Sequence, residues 1–218
     1  MKIVEQSVEL VLYEGINGYD IIEHLEKVGR TCYKSEEKIK EGSADKFIRG
    51  IVKSGHGSVI EHASLTVKFI TSRDVTHQVV RHRVASMAQE SQRYCNYSLG
   101  KFGEEVVFVR PVYLLEGTNA YSTWEKSCGI AESAYFMLID EGCTAEEARS
   151  VLPNCAKTEL MMTANLREWR HFFEVRCDHH AQLPIRLLAI DLLKQMTNLI
   201  PVVFDDLYMK FVGEDIVR

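Results

Sequence analysis

The chain has 218 residues, of which 46% are hydrophobic and 26% are charged, and its formal net charge is −5. This length allows one domain with a core of its own, and we expect residues 1–218 to form a single domain. The acidic balance argues against a protein whose main task is to hold nucleic acid, because such proteins carry an excess of Lys and Arg. The sequence shows neither an apolar run of membrane-spanning length nor a signal-peptide pattern, so we expect a cytoplasmic protein.

Hydrophobic periodicity predicts strands and helices that interleave irregularly along the chain. The predicted strands are Ser7 to Tyr13, Leu65 to Ile70, Glu105 to Val109 and Thr158 to Thr163. Three predicted helices contain the apolar residues of Ile21 to Val28, Phe47 to Val52 and Val75 to Val80. Two longer helices are predicted from about Ala120 to Glu141 and from about Pro184 to Leu199. Because this order lacks the regular alternation of a doubly wound fold, we expect an α+β fold with helices packed against a sheet.

Short sequence signals predict where several helices begin and end. Ser43 is expected to cap the second helix, and Gly55 is expected to end its last turn. Thr144 and Glu147 have the spacing of a capping box, and the short helix that they begin is expected to stop at Pro153.

The most unusual stretch of the chain is RHRVASMAQESQRY, which runs from Arg81 to Tyr94. It places three arginines, one histidine, two serines and two glutamines within fourteen residues of an acidic protein. Planar guanidinium groups, with hydroxyl and amide groups between them, suit a phosphate and the carbonyl edge of a pyrimidine. The alternative is a solvated basic helix end, where cations are favourable without any ligand. Ser91 is expected to donate to phosphate rather than act as a nucleophile.

Two clusters of histidines raise the question of a metal site. The residues from Gly55 to His62 have neither the H-E-x-x-H nor the H-x-x-E-H spacing, and their glycines indicate a turn where backbone approaches a ligand. His179 and His180 have no evident set of further ligands in the sequence. We therefore expect no metal.

A third stretch, ANLREWRHFFEVRCDHHAQ, runs from Ala164 to Gln182. Asn165 and Glu168 have the spacing of a helix cap. On the helix that follows, Arg167 and His171 are four residues apart and share a face.

Together these motifs resemble the flavin-dependent thymidylate synthases. Arg81 to Arg93 matches the family signature R-H-R-x-x-S-x-x-x-x-S-x-R. The similarity extends over most of the chain, to the turn at His56 with Glu61-His62, Ala148-Arg149-x-Val151-Leu152-Pro153, Asn165-x-Arg167 and Arg176-x-x-x-His180-Ala181-Gln182. The resemblance implies a single-domain α+β fold with a central mixed or antiparallel sheet, in a homotetramer whose active sites are shared between subunits.

The resemblance also implies an activity, namely the reductive methylation of dUMP to dTMP. FAD would be the cofactor, NADPH would reduce it, and 5,10-methylenetetrahydrofolate would supply the carbon. The family is understood to work without an enzyme cysteine nucleophile, and none of the six cysteines lies in a stretch that looks activated. Neither a nucleic acid nor a membrane is implied as a partner.

Carried over position by position, the resemblance assigns residues to each ligand. The flavin contacts would be Ser58, Arg81, His82, Arg83, Val84, Gln89, Asn165, Arg167 and His171. The dUMP contacts would be Gln78, Arg81, Gln89, Glu90, Ser91, Gln92, Arg93, Arg149 and Arg176. The two catalytic positions would be His56, near the flavin ring and the folate, and Arg176, which would stabilise charge on the uracil edge. His171 and Gln89 stand where relatives carry Asn and Glu.

Three other readings remain open from the sequence. An RNA- or DNA-binding protein could grip a phosphate backbone with the arginines between Arg81 and Arg93, although the net charge argues against it. A metal-dependent hydrolase could use His56, His62 and His180. A flavoprotein of the same fold that lacks synthase activity is the third alternative.

Overall fold

The computed structural model describes residues 1–12 and 15–213 of the chain. Its strands are β1 (Lys2–Val4), β2 (Ser7–Val11), β3 (Ser64–Ser72), β4 (Ala85–Gln89), β5 (Val107–Val109) and β6 (Lys157–Asn165). Its helices are α1 (Gly18–Thr31), α2 (Ser43–Lys53), α3 (Arg73–Val79), α4 (Asn119–Asp140), α5 (Ala145–Ala148), α6 (Leu166–Arg176), α7 (Leu183–Leu199) and α8 (Pro201–Phe211). The predicted α+β class is confirmed. Of the helices within these described ranges, none has the length and apolar character needed to span a membrane.

The strands form two sheets. The larger sheet has the order β2-β3-β6-β4, and the smaller sheet joins β1 and β5 in parallel, with Ile3 opposite Phe108. Along β6, the buried residues Leu160, Met162 and Ala164 alternate with partly exposed ones. Strand β3 shows a similar alternation. This two-residue period is the pattern from which β3 was predicted.

The backbone contacts divide the chain into two compact units. Unit 1 comprises Met1–Ser7, Phe69–Arg81 and Ala88–Met161, and unit 2 comprises Val8–Lys68, His82–Met87 and Met162–Arg218. Each unit is therefore assembled from segments that are far apart in the sequence. The interpretation of residues 1–218 as one domain stays a prediction.

Helix α4 supplies a large part of the core of unit 1. Its residues Cys128 and Tyr135 are buried and pack in one cluster with Tyr97 and Phe108. The backbone N–H of Tyr97 donates to the Tyr135 hydroxyl at 3.2 Å, so this buried phenol has a polar partner. Gly142, at φ 90°, follows the last turn of α4 in the left-handed conformation that ends helices at glycine.

In unit 2, an aromatic cluster fixes helix α6. Trp169, Phe172 and Phe173 are fully buried, and the ring of Phe173 packs edge-to-face on Phe204 of α8 with centroids 5.6 Å apart. The indole N–H of Trp169 donates to the carbonyl oxygen of Leu65 in β3 at 3.1 Å. Since each aromatic ring buries a large area and the indole needs a partner, this packing sets the rotation of α6 about its axis. It thereby decides which polar residues of α6 face outward.

Some element ends differ from the sequence-based expectations. Strand β2 ends at Val11, and Tyr13 lies outside the described residues. Gly42 rather than Ser43 is the N-cap of α2, because the Ser43 hydroxyl instead donates to Glu26 Oε2 at 2.6 Å. Burial of the Glu26 side chain makes this tertiary bond the stronger competitor for the hydroxyl.

Three elements, β1, β4 and α8, were missing from the expectations. Strand β4 lies inside the basic stretch, where polar residues on both faces conceal the two-residue period. Helix α8 follows α7 after Ile200 alone, and Pro201 occupies its first position. The apolar residues of α7 and α8 are continuous in the sequence, so Pro201 was the one local signal that a new helix begins there.

Candidate active site

A cavity of about 630 Å³ lies along helix α6 in unit 2. Four positions that the resemblance assigns to flavin, Val84, Asn165, Arg167 and His171, line it. Gly57 joins them from the turn that precedes the 3-10 helix Val59–His62. Three distant stretches of sequence therefore converge on one cavity whose volume is typical of small-molecule and cofactor sites.

The start of α6 places two of these side chains. Asn165 Oδ1 accepts the backbone N–H of Glu168 at 2.9 Å, which confirms the predicted cap. The cap fixes the first turn of the helix at the edge of the cavity. Arg167 and His171 follow one turn apart and both line the cavity, as their spacing predicted.

The Arg167 side chain lies across the turn at Gly57. A Cβ atom at position 57 would lie 3.0 Å from Arg167 Nε, so glycine there permits the close approach. Arg167 Nη1 donates to Glu61 Oε1 at 2.6 Å, and the Arg167 side chain is 60% exposed. Because an exposed ion pair contributes little, this guanidinium is able to exchange Glu61 for a bound anion.

Behind the cavity, His82 is buried and hydrogen-bonded on both sides of its ring. Its Nδ1 lies 3.2 Å from Glu168 Oε1, and its Nε2 accepts a hydrogen bond from Arg176 Nε at 3.1 Å. The ring packs against Phe172, with centroids 4.9 Å apart, and against the edge of His171 at 5.7 Å. The signature histidine is thus held in one orientation.

The electrostatic environment keeps His82 neutral. Burial lowers the pKa of His82 to about 4, and the charges of Arg176 and His171 add to this effect. Burial also raises the pKa of Glu168 and lowers the pKa of Arg176. Arginine nevertheless stays protonated at neutral pH, so Arg176 is a fixed positive charge beside a neutral ring.

The remaining predicted flavin positions do not line this cavity. Ser58 is exposed in the turn around Gly57, as is the catalytic candidate His56, and Arg83 is exposed next to His82. Arg81 and Gln89 belong to unit 1. Their flavin contacts stay predictions.

In unit 1, the side chain of Gln89 has partners within the protein. Its Nε2 donates to the hydroxyl oxygens of Thr76 and Thr158 at 3.0 Å and 3.2 Å. Both threonines are fully buried. These bonds fix the amide at the end of β4.

The next residue, Glu90, is the centre of a second polar cluster in unit 1. It accepts a hydrogen bond from the Tyr97 hydroxyl at 3.0 Å and pairs with Lys157 Nζ at 3.0 Å. Burial raises the pKa of Tyr97, and the Glu90 charge adds to the effect, so the phenol remains a donor. All three residues line a cavity of about 310 Å³, together with Lys2 and Lys101.

Arg93 and Arg149 meet the same short element. Arg93 Nε lies 2.8 Å from Glu146 Oε1 on α5, and Arg149 directly follows α5 in the 3-10 helix Arg149–Val151. The Ser91 hydroxyl oxygen accepts the backbone N–H of Arg93 at 3.3 Å. Two cations predicted to hold phosphate are thus presented by neighbouring segments.

The other nucleotide candidates have varied surroundings. Gln78 lies near the end of α3, and Arg81 follows that helix with an exposed side chain. Gln92 is buried. Arg176 is the one nucleotide candidate that belongs to unit 2. The nucleotide contacts of all these residues stay predictions.

Comparison with known proteins identifies the group to which this arrangement belongs. The family model described as thymidylate synthase complementing protein matches residues 20–202 of the chain. A flavin-dependent thymidylate synthase of Geobacter sulfurreducens is 38% identical over 184 residues, which are 81% of this chain and 78% of that protein. The chain belongs to the flavin-dependent thymidylate synthase family.

A further relative and a solved structure are also similar to this chain over most of its length. A flavin-dependent thymidylate synthase of Pyrococcus furiosus is 38% identical over 171 residues, covering 78% of this chain and 69% of that protein. A crystal structure described as the UMP/dUMP methylase PolB from Streptomyces cacaoi, bound with 5-Br dUMP, has a TM-score of 0.76 at 25% identity. The match covers 97% of this chain and 98% of that one.

Several residues around the candidate site of this flavin-dependent thymidylate synthase were not predicted from the sequence as contacts of the site. Glu168 was interpreted only as a cap partner, although its carboxylate contacts His82. Tyr97 and Lys157 both contact Glu90, although neither was predicted as a site residue. Glu61 was named only as part of a sequence motif, yet it contacts Arg167. Apart from the contact between Tyr97 and Glu90, these contacts join positions distant in sequence, and no local pattern signals them.

Metal-compatible groupings in this flavin-dependent thymidylate synthase differ from those that the hydrolase alternative requires. Among the described residues, the groupings are His82 with Glu168 and His171, and Asp178 with His179 and His180. Neither includes His56 or His62. The hydrolase constellation of His56, His62 and His180 is therefore not assembled among these groupings.

Proposed function

We propose that this protein reductively methylates dUMP to dTMP, with 5,10-methylenetetrahydrofolate as carbon donor and NADPH-reduced FAD as hydride donor. The observation that carries the proposal is the convergence of Val84, Asn165, Arg167 and His171 on one cavity of a flavin-dependent thymidylate synthase. The UMP/dUMP methylase structure supports the choice of a uracil nucleotide as substrate.

The cavity in unit 2 has the chemistry that a flavin nucleotide needs. Arg167 supplies a cation that is released from a weak surface pair, while Asn165 and His171 supply hydrogen-bonding groups. Gly57 leaves room for backbone to approach the ligand. These residues and the exposed Ser58, Arg81 and Arg83 would hold the cofactor, and His56 would lie near its ring and the folate. FAD, once reduced, supplies the hydride for the new methyl group.

The nucleotide would be held by the basic stretch and α5. Arg93 and Arg149 suit the phosphate, and Ser91 would add a hydroxyl donor. The ion pair of Arg93 with Glu146 is half exposed, so a dianionic phosphate can replace the carboxylate at little cost. Gln78, Arg81, Gln89, Glu90 and Gln92 would complete the contacts to the sugar and base.

Arg176 would act on the reacting ring. Carbon addition at C5 of uracil requires electron density there, and this density develops with negative charge on the N3 and O4 edge. A guanidinium stays protonated and cannot serve as a general acid, but it stabilises such charge. The hydrogen bond from Arg176 Nε to His82 leaves this charge oriented before the substrate binds.

The reaction is proposed to proceed without an enzyme cysteine nucleophile. The Cys128 thiol, whose sulfur lies 3.6 Å from that of Cys155, lowers the pKa of Cys155. Cys155 packs against the core cluster of unit 1 and does not line the cavity beside Glu90. Its lowered pKa therefore reflects a pair of neighbouring thiols, not a substrate-facing nucleophile.

The assembly and location belong to the same proposal. We infer a single-domain subunit with a central mixed or antiparallel sheet, a homotetramer with active sites shared between subunits, and a cytoplasmic enzyme without nucleic-acid or membrane partners. Family membership supports these inferences.

The test begins with an absorbance spectrum of the purified protein with FAD. NADPH is then added without oxygen, with and without dUMP, and dTMP is measured after methylenetetrahydrofolate is supplied. We expect flavin bands that bleach with NADPH and dTMP that requires the folate. Chelator treatment should leave turnover unchanged, since no metal is proposed.

Different failures identify different alternatives. A protein that bleaches with NADPH but makes no dTMP is a flavoprotein without synthase activity. A protein that binds no FAD but binds oligonucleotides in a salt-sensitive way is a nucleic-acid binder. Either result would overturn the proposed reaction.

A further inference from the structure

We propose that Glu168 is a positioning residue for Arg176 and that it acts through the imidazole of His82. The inference rests on the proposed role of Arg176 in the reaction, but it concerns a residue that neither the family signature nor the comparisons assign. Its foundation is a continuous chain of hydrogen bonds within unit 2, from Glu168 to His82 and on to Arg176.

The two hydrogen bonds fix the proton on His82. A guanidinium has only donors, so Arg176 Nε, which lies 3.1 Å from His82 Nε2, requires an unprotonated nitrogen there. A neutral imidazole then carries its proton on Nδ1, which faces Glu168 Oε1 at 3.2 Å. Glu168 thus stabilises the one tautomer that can accept from Arg176.

Helix geometry explains why His82 is needed as the intermediary. Glu168, Phe172 and Arg176 are spaced four residues apart and lie along one face of α6. Eight residues of helix span about 12 Å, which favours a bridge over a direct ion pair between Glu168 and Arg176. The His82 ring packs on Phe172 and bridges the two turns.

Burial makes the arrangement stiff. The side chains of His82 and Glu168 are 4% and 12% exposed. A ring packed between Phe172 and His171 cannot turn over without disturbing both neighbours. A change at Glu168 is therefore transmitted to the orientation of Arg176 instead of being absorbed by water.

A simpler role for Glu168 must be separated from this one. It lies in the first turn of α6, where any carboxylate stabilises the helix dipole. Asp20 provides the matched control, because it lies in the first turn of α1 and its backbone N–H is capped by Asn17, as that of Glu168 is by Asn165. Asp20 is exposed and has no role in the proposed site.

The kinetic test is a double-mutant cycle on dTMP formation with Glu168→Gln and Arg176→Lys. Lysine lacks the Nε that contacts His82, so Arg176→Lys removes the end of the chain while keeping a charge. We expect Glu168→Gln to lower kcat roughly tenfold while the KM for dUMP changes less. In the Arg176→Lys background, Glu168→Gln should lower kcat hardly any further. Asp20→Asn should have the kcat of wild type.

Two kinetic results would contradict the proposal. One is a wild-type kcat in Glu168→Gln. The other is a kcat in the double variant that equals the product of the two separate fold-reductions. The second would mean that Glu168 acts independently of Arg176, for example through the helix dipole.

A spectroscopic test needs no turnover and so separates this proposal from the proposed reaction. In ¹⁵N spectra of histidine-labelled protein, with His82→Gln used to assign the signal, we expect one neutral tautomer protonated on Nδ1. Glu168→Ala, which removes the acceptor for Nδ1–H, should lose this single tautomer, whereas Asp20→Ala should keep it. Wild-type protein protonated on Nε2 would refute the relay even where Glu168→Ala does not fold, and even where no dTMP forms.

Discussion

At the scale of single residues, His82 shows how one side chain serves two purposes. It belongs to the signature by sequence, but its contacts come from α6, where Glu168, His171 and Arg176 surround it. Keeping this buried ring neutral couples the stability of the fold to pH, because the unfolded chain takes up a proton that the folded protein excludes.

The free energy of unfolding should therefore fall on acidification, and part of this fall should depend on His82. The pKa of His82 is about 4 in the folded protein against a usual 6.5, so its contribution is fully present above pH 6.5 and is lost as pH falls to 4. The shift corresponds to a loss on the order of 3 kcal/mol. Urea unfolding of wild type and His82→Gln at pH 7 and pH 5 measures the part of this loss that occurs by pH 5, about 2 kcal/mol. We expect a smaller drop in the variant, and equal drops would disprove the assignment.

At the scale of elements, α5 depends on its cap more than the longer helices do. It spans only Ala145–Ala148, yet Thr144 and Glu147 form both hydrogen bonds of the predicted capping box. A backbone hydrogen bond from Thr144 also holds the pKa of Glu147 below its usual value. Since so short a helix has little stability of its own, the cap decides where Arg149 is presented.

Removing this cap should weaken both the fold and nucleotide binding. Thr144→Ala is expected to destabilise the protein by about 1 kcal/mol. It should also raise the KM for dUMP more than it lowers kcat, because Arg149 is proposed to hold phosphate. Thr123→Ala is the control, since the Thr123 hydroxyl bonds the Asn119 carbonyl inside α4 and caps nothing. An equal effect of both substitutions on the KM would argue against the proposed role of Arg149.

At the scale of the whole molecule, the proposed ligands divide between the two units. Most flavin positions belong to unit 2, and most nucleotide positions belong to unit 1. Anything that binds the folded state alone stabilises that state by mass action. FAD is therefore expected to act as a stabilising ligand even where no substrate is present.

Thermal unfolding in a series of FAD concentrations measures this effect. At a hundredfold excess over Kd, FAD should contribute about 2.7 kcal/mol. Arg167→Ala should shift the response to higher FAD concentration, because this residue lines the cavity. Arg49→Ala is the matched control, since Arg49 is also an exposed arginine in an ion pair. The cavity would be excluded as the flavin site if both variants responded as wild type does.

Features that depend on residues close together along the chain were predictable from the sequence alone. Periodicity predicted β3 and most helices, and local spacing predicted the capping box at Thr144 and the cap at Asn165. The family signature also lies in one continuous stretch. These features follow from local backbone and side-chain preferences, which short segments carry with them.

Contacts between residues far apart in the sequence were visible only in the tertiary structure. His82 and Arg176 are 94 positions apart, and Arg167 and Glu61 are 106 apart. The low pKa of His82 and the lowered pKa of Cys155 likewise arise from burial and from neighbours brought in by packing. Such effects depend on distance and solvent exclusion, and neither quantity exists until the chain has folded.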